Sequence, residues 1–299
     1  MVEVFEVDQT EGGEAPGADP AQGAPDFNVA PTRKAPVVLE RLPRGSTGAG
    51  PAADVQAGDL QPGPAGDERD DDAGDDDRGH GDAVRPVRWL RLLSWGLVPS
   101  WAKDRSIGNR MINARAETLL DKPAYRRAAT SRRCLVPADG WYEWQPSPTE
   151  RDAKGKPRKQ PFFMRPVAGG PIAMAGVYEL WRDPDRDPDD PAAWLASYAV
   201  ITTAAEPGLA GIHDRMPLVL PTDRWDDWLD PALREPDAVR ALLERPTAGR
   251  FLAVPVSTRV NAVSNNGPEL LDPMPLDQLR GVVDPATGEL IGGTQAPLF

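Results

Sequence analysis

The chain has 299 residues, 40% of them hydrophobic, with 46 acidic and 34 basic side chains for a formal net charge of -12. This length and apolar content suffice to bury a core, so we expect a soluble globular protein, with no apolar run near the roughly 20 residues of a membrane span and no secretory signal. The single cysteine rules out an internal disulfide and, with only two histidines, argues against structural zinc. We therefore expect no metal or other cofactor and a reducing, cytoplasmic location.

Charge is unevenly distributed along the chain. Residues 87–165 carry 17 basic and 7 acidic side chains, a net charge of +10, whereas residues 1–86 and 166–299 have net charges of -12 and -10. Because salt screens charges beyond roughly 8–10 Å, a basic segment can bind phosphate even in an acidic protein. A solvated surface of mixed charge is the alternative.

The hydrophobic pattern predicts an α+β fold with a predominantly antiparallel, barrel-like sheet and a few short flanking helices. We expect a single domain over residues 26–275, between a poorly ordered N-terminus at 1–25 and a C-terminal tail at 276–299. A Gly- and Asp-rich stretch at 45–83 predicts a disordered acidic insertion. Strands are predicted at 37–42, 84–93, 134–137, 140–144, 161–165, 172–178, 198–203 and 251–256, and helices at 116–120, 123–130, 224–229 and 237–243.

Two tryptophans, Trp95 and Trp101, flank a Gly/Pro turn at the start of the basic segment. Indole rings beside Arg and Lys can stack on the bases of single-stranded nucleic acid. Core packing is the commoner role of a tryptophan, and composition does not decide between the two.

Asn113 and Arg115 lie two residues apart in an extended segment, so their side chains share one face. Asn113 offers a neutral amide, and Arg115 offers a planar fork that fits a phosphate. The alternatives are a turn or cap role for Asn113 and a surface ion pair for Arg115.

Glu143 lies between aromatic residues in a strand-like run, with Trp141, Tyr142 and Trp144 as neighbours. Poor solvation of a carboxylate raises its pKa toward the range useful for proton transfer at neutral pH. The alternative is an exposed position at a sheet edge.

His213 is one of two histidines, and the other, His80, lies in the acidic Gly-rich stretch. Histidine is the side chain that titrates near neutral pH without perturbation, so His213 is the candidate general acid or base. The alternative is a core histidine satisfied by a backbone hydrogen bond.

Six sequence segments, in their order along the chain, resemble the SOS response-associated peptidase (SRAP) family of abasic-site-processing proteins. They are residues 28–32, 95–101, 113–118, 133–144, 213–217 and 260–266. The resemblance spans about residues 26–272. It implies the SRAP fold and a hydrolase with peptidase activity and lyase-like chemistry at abasic sites in the DNA damage response.

By this resemblance, three side chains carry the chemistry. Asn113 would orient the N-terminal group and the opened sugar, Glu143 would shuttle protons during imine formation, and His213 would act as acid or base on the sugar hydroxyl and in crosslink reversal.

The resemblance also implies a binding surface for single-stranded DNA that contains abasic sites. Arg115 and Arg215 would hold the flanking phosphates, and Trp95, Trp101 and Trp144 would form a wall for base stacking. We expect a monomer that associates with the nucleoid when bound to DNA, with no membrane or metal partner.

One feature departs from the family pattern. The family's nucleophile is an N-terminal cysteine whose amine forms an imine with the sugar aldehyde, whose thiol closes a thiazolidine ring, and which is thought to cleave the family's own start. This chain begins Met1-Val2-Glu3, and Cys134 has no α-amine. Either the start has been placed downstream of the true one, or crosslinking has been lost and the protein only binds single-stranded or modified DNA. A thiol peptidase using Cys134 and His213 is a weaker alternative, because no oxyanion turn lies near Cys134.

We predict that the 299-residue chain binds single-stranded DNA without forming a thiazolidine crosslink, because Cys134 lacks the required amine. A denaturing gel of the protein with an abasic single-stranded oligonucleotide should show no stable shifted band. Appearance of such a band would contradict the prediction.

Overall fold

A computed structural model describes residues 2–11, 24–42, 85–187, 189–244 and 248–292. The strands are β1 (Gln9–Glu11), β2 (Lys34–Arg41), β3 (Val87–Trp95), β4 (Asn113–Arg115), β5 (Arg133–Ala138), β6 (Trp141–Arg151), β7 (Pro157–Pro166), β8 (Ile172–Arg182), β9 (Trp194–Ala204), β10 (Arg215–Pro217), β11 (Val219–Leu220), β12 (Phe251–Pro255), β13 (Val282–Val283) and β14 (Leu290–Ile291). The α-helices are α1 (Pro123–Ser131), α2 (Trp225–Leu229) and α3 (Pro236–Leu242). Short 3-10 helices occupy Arg105–Arg110, Ala116–Thr118, Pro191–Ala193, Thr222–Arg224, Thr258–Asn261, Pro268–Leu271 and Leu276–Gln278.

Five strands form a closed barrel. The order β3-β2-β5-β8-β9 is antiparallel throughout, and a parallel pairing of β3 with β9 at Ser94↔Ser197 and Trp95↔Tyr198 closes it. Closure removes the free edges that an open sheet would present to solvent. The predicted α+β, barrel-like fold with few short helices is confirmed.

A second sheet, β12-β7-β6, packs against the barrel. Phe162 and Met164 of β7 are buried in one cluster with Val37 and Leu39 of β2. Strand β6, which carries the predicted acid Glu143, is therefore anchored to the barrel through its partner β7.

A buried arginine joins two helices to the barrel. The Arg133 guanidinium donates to the carbonyls of Ala129 (3.0 Å) in α1, and of Trp228 (2.6 Å) and Asp230 (2.6 Å) at the end of α2. The last carbonyls of a helix have no partner within the helix, so one cation satisfies several of them at once. Burial lowers the pKa of Arg133 to about 10.

Both ends of the described chain pack more closely than expected. Phe5 is fully buried and stacks on Trp225 with ring centroids 4.5 Å apart, and β1 pairs with β3. Near the C-terminus, Leu279 and Val282 are buried. Residues 2–11 belong to the N-terminal segment expected to be poorly ordered, and residues 276–292 to the predicted C-terminal tail. In the structure both segments pack on the domain through aromatic and aliphatic anchors. The acidic insertion predicted at 45–83 lies outside the described residues.

The helices of the described ranges are all too short or too polar to cross a membrane.

We predict that Phe5→Ala lowers the free energy of unfolding by about 3–5 kcal/mol, because it removes a buried ring from a stacked pair. Val4→Ala is the control: its side chain is 48% exposed, and its substitution should change the stability by less than about 0.5 kcal/mol. Denaturant unfolding measures both. Equal stabilities of the two variants would show that the N-terminal segment does not pack on the domain.

Candidate active site

Glu143 lies on β6 and is half-buried. Burial raises its pKa to about 6, the His213 imidazole opposes that rise, and the Asp214 carboxylate adds to it. Within the described ranges, no group donates a hydrogen bond to the Glu143 carboxylate. The raised pKa of Glu143 and its coulombic interaction with His213 make this carboxyl suited to proton transfer near neutral pH.

His213 lies at the end of the loop that connects β9 to β10. Leu209 and Ile212, both buried, anchor that loop. The His213 side chain is 47% exposed, which rules out the alternative of a core histidine. Its Nδ1 atom lies 3.1 Å from both the backbone nitrogen and the backbone oxygen of Arg215. Nδ1 can accept from that N–H or, when protonated, donate to that carbonyl, and either arrangement leaves Nε2 available.

Asn113 and Arg115 are both exposed on the three-residue strand β4. This strand runs parallel to β9, with Asn113 opposite Val200 and Arg115 opposite Thr202. The alternation predicted from the sequence therefore holds: both side chains lie on the solvent side, while Ala114 between them is buried. No carboxylate of the described residues lies within ion-pairing distance of Arg115.

Arg215 is the predicted phosphate ligand whose surroundings differ most from expectation. Its guanidinium donates to both carboxylate oxygens of Glu117 at 2.7 and 2.8 Å, and to the Thr202 carbonyl at 2.6 Å. These hydrogen bonds lower the pKa of Glu117. The fork of Arg215 is thus already occupied by a carboxylate.

The three tryptophans differ in their surroundings. Trp95 is half-buried, donates from Nε1 to the Ile112 carbonyl (2.9 Å) and stacks on Tyr198, so it supports the strand that leads into Asn113. Trp144 donates from Nε1 to Asn261 Oδ1 at 2.7 Å. Trp101 is 62% exposed and is the one of the three with a ring largely open to solvent.

A buried asparagine, Asn28, holds the loop beside Trp144. Its side-chain amide donates to the carbonyls of Val260 (3.1 Å), Ala262 (3.2 Å) and Asn265 (3.2 Å). Buried amides of this kind fix backbone segments that have no ladder of their own. Asn28 lies in one of the six segments that resemble the family, but no role for it could be predicted from the sequence, because its partners lie more than 230 residues away.

The predicted site residues come from three segments around β9 and the second sheet. Strand β4 pairs with residues 200–202 of β9 and β10 pairs with Thr202 through Ala204, so Asn113 lies opposite Val200 while Arg215 lies opposite Ala204, four residues further along β9. The hydrogen bonds between Arg215 and Glu117 join the two segments. Glu143 comes from the second sheet, where the charge of the His213 imidazole lowers the pKa of its carboxyl and its neighbour Trp141 packs into the buried cluster that contains Met216.

Cys134 is fully buried in β5, and burial raises the pKa of its thiol. A buried neutral thiol is a poor nucleophile, which argues against the thiol peptidase alternative. The described part of the chain contains no group of three or more His, Cys, Asp and Glu side chains placed to hold a metal. A cavity of about 270 Å³ lies elsewhere, between β12 and the β13–β14 hairpin, and none of the predicted site residues line it.

Comparison with known proteins gives consistent matches. A family model described as SOS response associated peptidase (SRAP) matches residues 5–263. The Bacillus subtilis abasic site processing protein YoqW is 41% identical over 183 residues, which cover 61% of this chain and 76% of that protein. The chicken abasic site processing protein HMCES is 34% identical over 218 residues, covering 65% of this chain and 60% of HMCES. A crystal structure of a Bacteroides thetaiotaomicron protein has a similar fold, with a TM-score of 0.52 at 24% identity over 62% of this chain and 77% of that one.

We compare the free energy of unfolding of Glu143→Gln with that of the wild type at two pH values. We predict that the variant minus wild-type difference is more favourable to the variant at pH 8 than at pH 4, by about 2 kcal/mol. The reason is that the pKa of Glu143 is raised from 4.5 to about 6 on folding, so its contribution to stability is present below pH 4.5 and is lost as the pH rises through 6. Denaturant unfolding of both proteins at the two pH values measures the difference. An equal difference at pH 4 and pH 8 would contradict a raised pKa.

Proposed function

Because the chain belongs to the SOS response-associated peptidase (SRAP) family, we propose that it processes abasic sites in single-stranded DNA. The names of its relatives YoqW and HMCES, both abasic site processing proteins, support this function. We further propose that it acts as a monomer in the cytoplasm and associates with the nucleoid when bound to DNA.

The proposal is supported by the coulombic interaction between Glu143 and His213 together with the raised pKa of the Glu143 carboxyl, about 6. A carboxyl of that pKa can exchange a proton near neutral pH, and an imidazole that interacts with it can act as its acid/base partner. Asn113 and Arg115 are exposed on β4, which pairs with the same strand β9 as β10, and a neutral amide and a cation there suit a sugar and its phosphate.

The pair is suited to opening the abasic sugar ring. The Glu143 carboxylate takes the proton of the anomeric hydroxyl as the bond from the anomeric carbon to the ring oxygen breaks, and the aldehyde forms. The His213 imidazolium donates its Nε2 proton to the departing ring oxygen and keeps its Nδ1 proton on the Arg215 carbonyl. One proton is removed and one is added, and transfer of the proton from Glu143 back to His213 restores the pair.

The covalent step of the family requires a terminal amine next to a thiol. Cys134 offers neither the amine nor access, because it is an internal, fully buried residue. The same buried thiol cannot serve the peptidase reaction in the family's description. In our proposal the described residues therefore supply DNA binding and proton transfer.

DNA binding is assigned to the exposed cation and the exposed indole of the basic segment. Arg115 is exposed and has no ion-pair partner among the described residues, so its guanidinium can bind a phosphate, and the ring of Trp101 is open to a base. Arg215 can join them only where a phosphate shares or replaces the Glu117 carboxylate. Trp95 and Trp144, whose indole N–H groups are already bonded within the protein, would offer only ring faces.

We predict that Arg115→Ala weakens binding of single-stranded oligonucleotides of any sequence and reduces the slope of log K against log[salt] by about one, because one phosphate contact is lost. Arg240→Ala on α3, an exposed arginine far along the chain, is the matched control and should leave the slope unchanged. Fluorescence anisotropy over a salt series measures both variants. Identical slopes for Arg115→Ala and the wild type would overturn the assignment.

A crosslinking-inactive binder of single-stranded or modified DNA is the second candidate, and the burial of the only cysteine favours it. Glu143→Gln and His213→Ala distinguish the two. Slower aldehyde formation at an abasic site, with affinity retained, supports processing. A wild type that binds DNA but does not accelerate aldehyde formation supports the binder.

A further inference from the structure

A bidentate ion pair connects the 3-10 helix Ala116–Thr118 to β10. Arg215 Nη1 donates to Glu117 Oε1 at 2.7 Å, and Nη2 donates to Oε2 at 2.8 Å. Two parallel bonds fix both the position and the plane of a guanidinium, which a single bond does not. The guanidinium of Arg215 is therefore fixed by Glu117.

The backbone of the same arginine holds the imidazole of His213. The amide nitrogen and the carbonyl oxygen of Arg215 each lie 3.1 Å from His213 Nδ1. Arg215 is thus bonded to Glu117 through its side chain and to His213 through its main chain, and the three residues form one connected unit.

We propose that Glu117 is a positioning residue for His213, which it acts on through Arg215. This inference rests on the proposed function, in which His213 Nε2 transfers a proton to the sugar. With Arg215 held, Nδ1 remains on the Arg215 backbone, and Nε2 is the nitrogen left for the reaction. Without Glu117, β10 keeps its pairing with β9, but Arg215 loses its side-chain anchor, its backbone holds Nδ1 less tightly, and the imidazole exchanges more freely between the two tautomers that this backbone can bond.

An ordinary surface ion pair would contribute little, because exposed pairs are worth about 0–1 kcal/mol. This pair differs in its burial: the Arg215 side chain is 20% exposed, and its Nε atom is buried with no hydrogen-bond partner among the described atoms. Without Glu117, which is itself 51% exposed, the guanidinium keeps its hydrogen bond to the Thr202 carbonyl (2.6 Å) but has lost its counter-charge, which is costly for a largely buried cation. Removal of Glu117 should therefore move Arg215 rather than leave it where it is.

The test uses the ring nitrogens of His213 as the probe. The chain has only two histidines, so ¹⁵N-histidine labelling gives a simple spectrum, and His80→Gln assigns it. The measurement is made at pH about 8.5, above the ordinary imidazole pKa of about 6.5, so that the ring is neutral. An imidazole fixed in one tautomer then gives one pyridine-type and one pyrrole-type ¹⁵N chemical shift. Tautomer exchange brings the two shifts together.

We expect Glu117→Gln, Glu117→Ala and Arg215→Lys to bring the two His213 shifts together, with Glu117→Gln showing the smaller effect because one amide oxygen can still accept from Arg215. Glu269→Ala is the matched control, since Glu269 also lies in the first turn of a 3-10 helix and pairs with an arginine, Arg259, at 3.5 Å. The control should leave His213 unchanged.

Unchanged His213 shifts in any folded Glu117 variant would overturn the proposal. If Glu117→Ala fails to fold, as judged from its backbone amide spectrum, Glu117→Gln alone decides the matter. The measurement contains no DNA. Failure of the protein to bind single-stranded oligonucleotides would therefore count against the proposed function and leave this result standing.

Discussion

The pairing of β9 with several other strands determines where the functional groups lie. Its residues pair with β3 to close the barrel, with β4 to place Asn113 and Arg115, and with β10 to place Arg215, two residues after His213. Residues separated by about 100 positions in the sequence are brought together because one strand is long enough to bond to several short ones. Their register is fixed by backbone hydrogen bonds and by the burial of one side of the sheet, so a shift by one residue would turn Arg115 inward and Ala114 outward.

Glu143 comes from the other sheet, and this separation explains its chemistry. Trp141, which lies on the same face of β6 as Glu143, packs against Phe251, while Tyr142 packs against Phe163 on the other face, so β6 is held in the second sheet from both sides and the Glu143 carboxyl is partly buried. The loss of hydration favours the neutral acid, while His213 favours the carboxylate. A pKa near 6 is the balance of these two opposing effects. The same aromatic packing that stabilises the second sheet therefore prepares its acid for proton transfer.

Much of this arrangement could be predicted from local patterns. Short apolar runs bounded by Gly and Pro marked β2, β3, β5, β8 and β9, and aromatic neighbours marked Glu143 as a poorly solvated carboxyl. Two kinds of feature were missed. Phe5 lies in a short run of apolar and acidic residues, and nothing local reveals that its ring meets Trp225, 220 residues away. Arg215 looked like a free phosphate ligand because its partner Glu117, 98 residues away, becomes a neighbour only when β4 and β10 both pair with β9.

The chemistry proposed for this site depends on the interaction between Glu143 and His213. A titration of the ¹³C-labelled Glu143 carboxyl by NMR, in the wild type and in His213→Ala, measures that interaction. We expect a midpoint for Glu143 near pH 6 in the wild type and a higher one in the variant, because the imidazole that favours the carboxylate is gone. A midpoint near the ordinary glutamate value of about 4.3 in both proteins would contradict it.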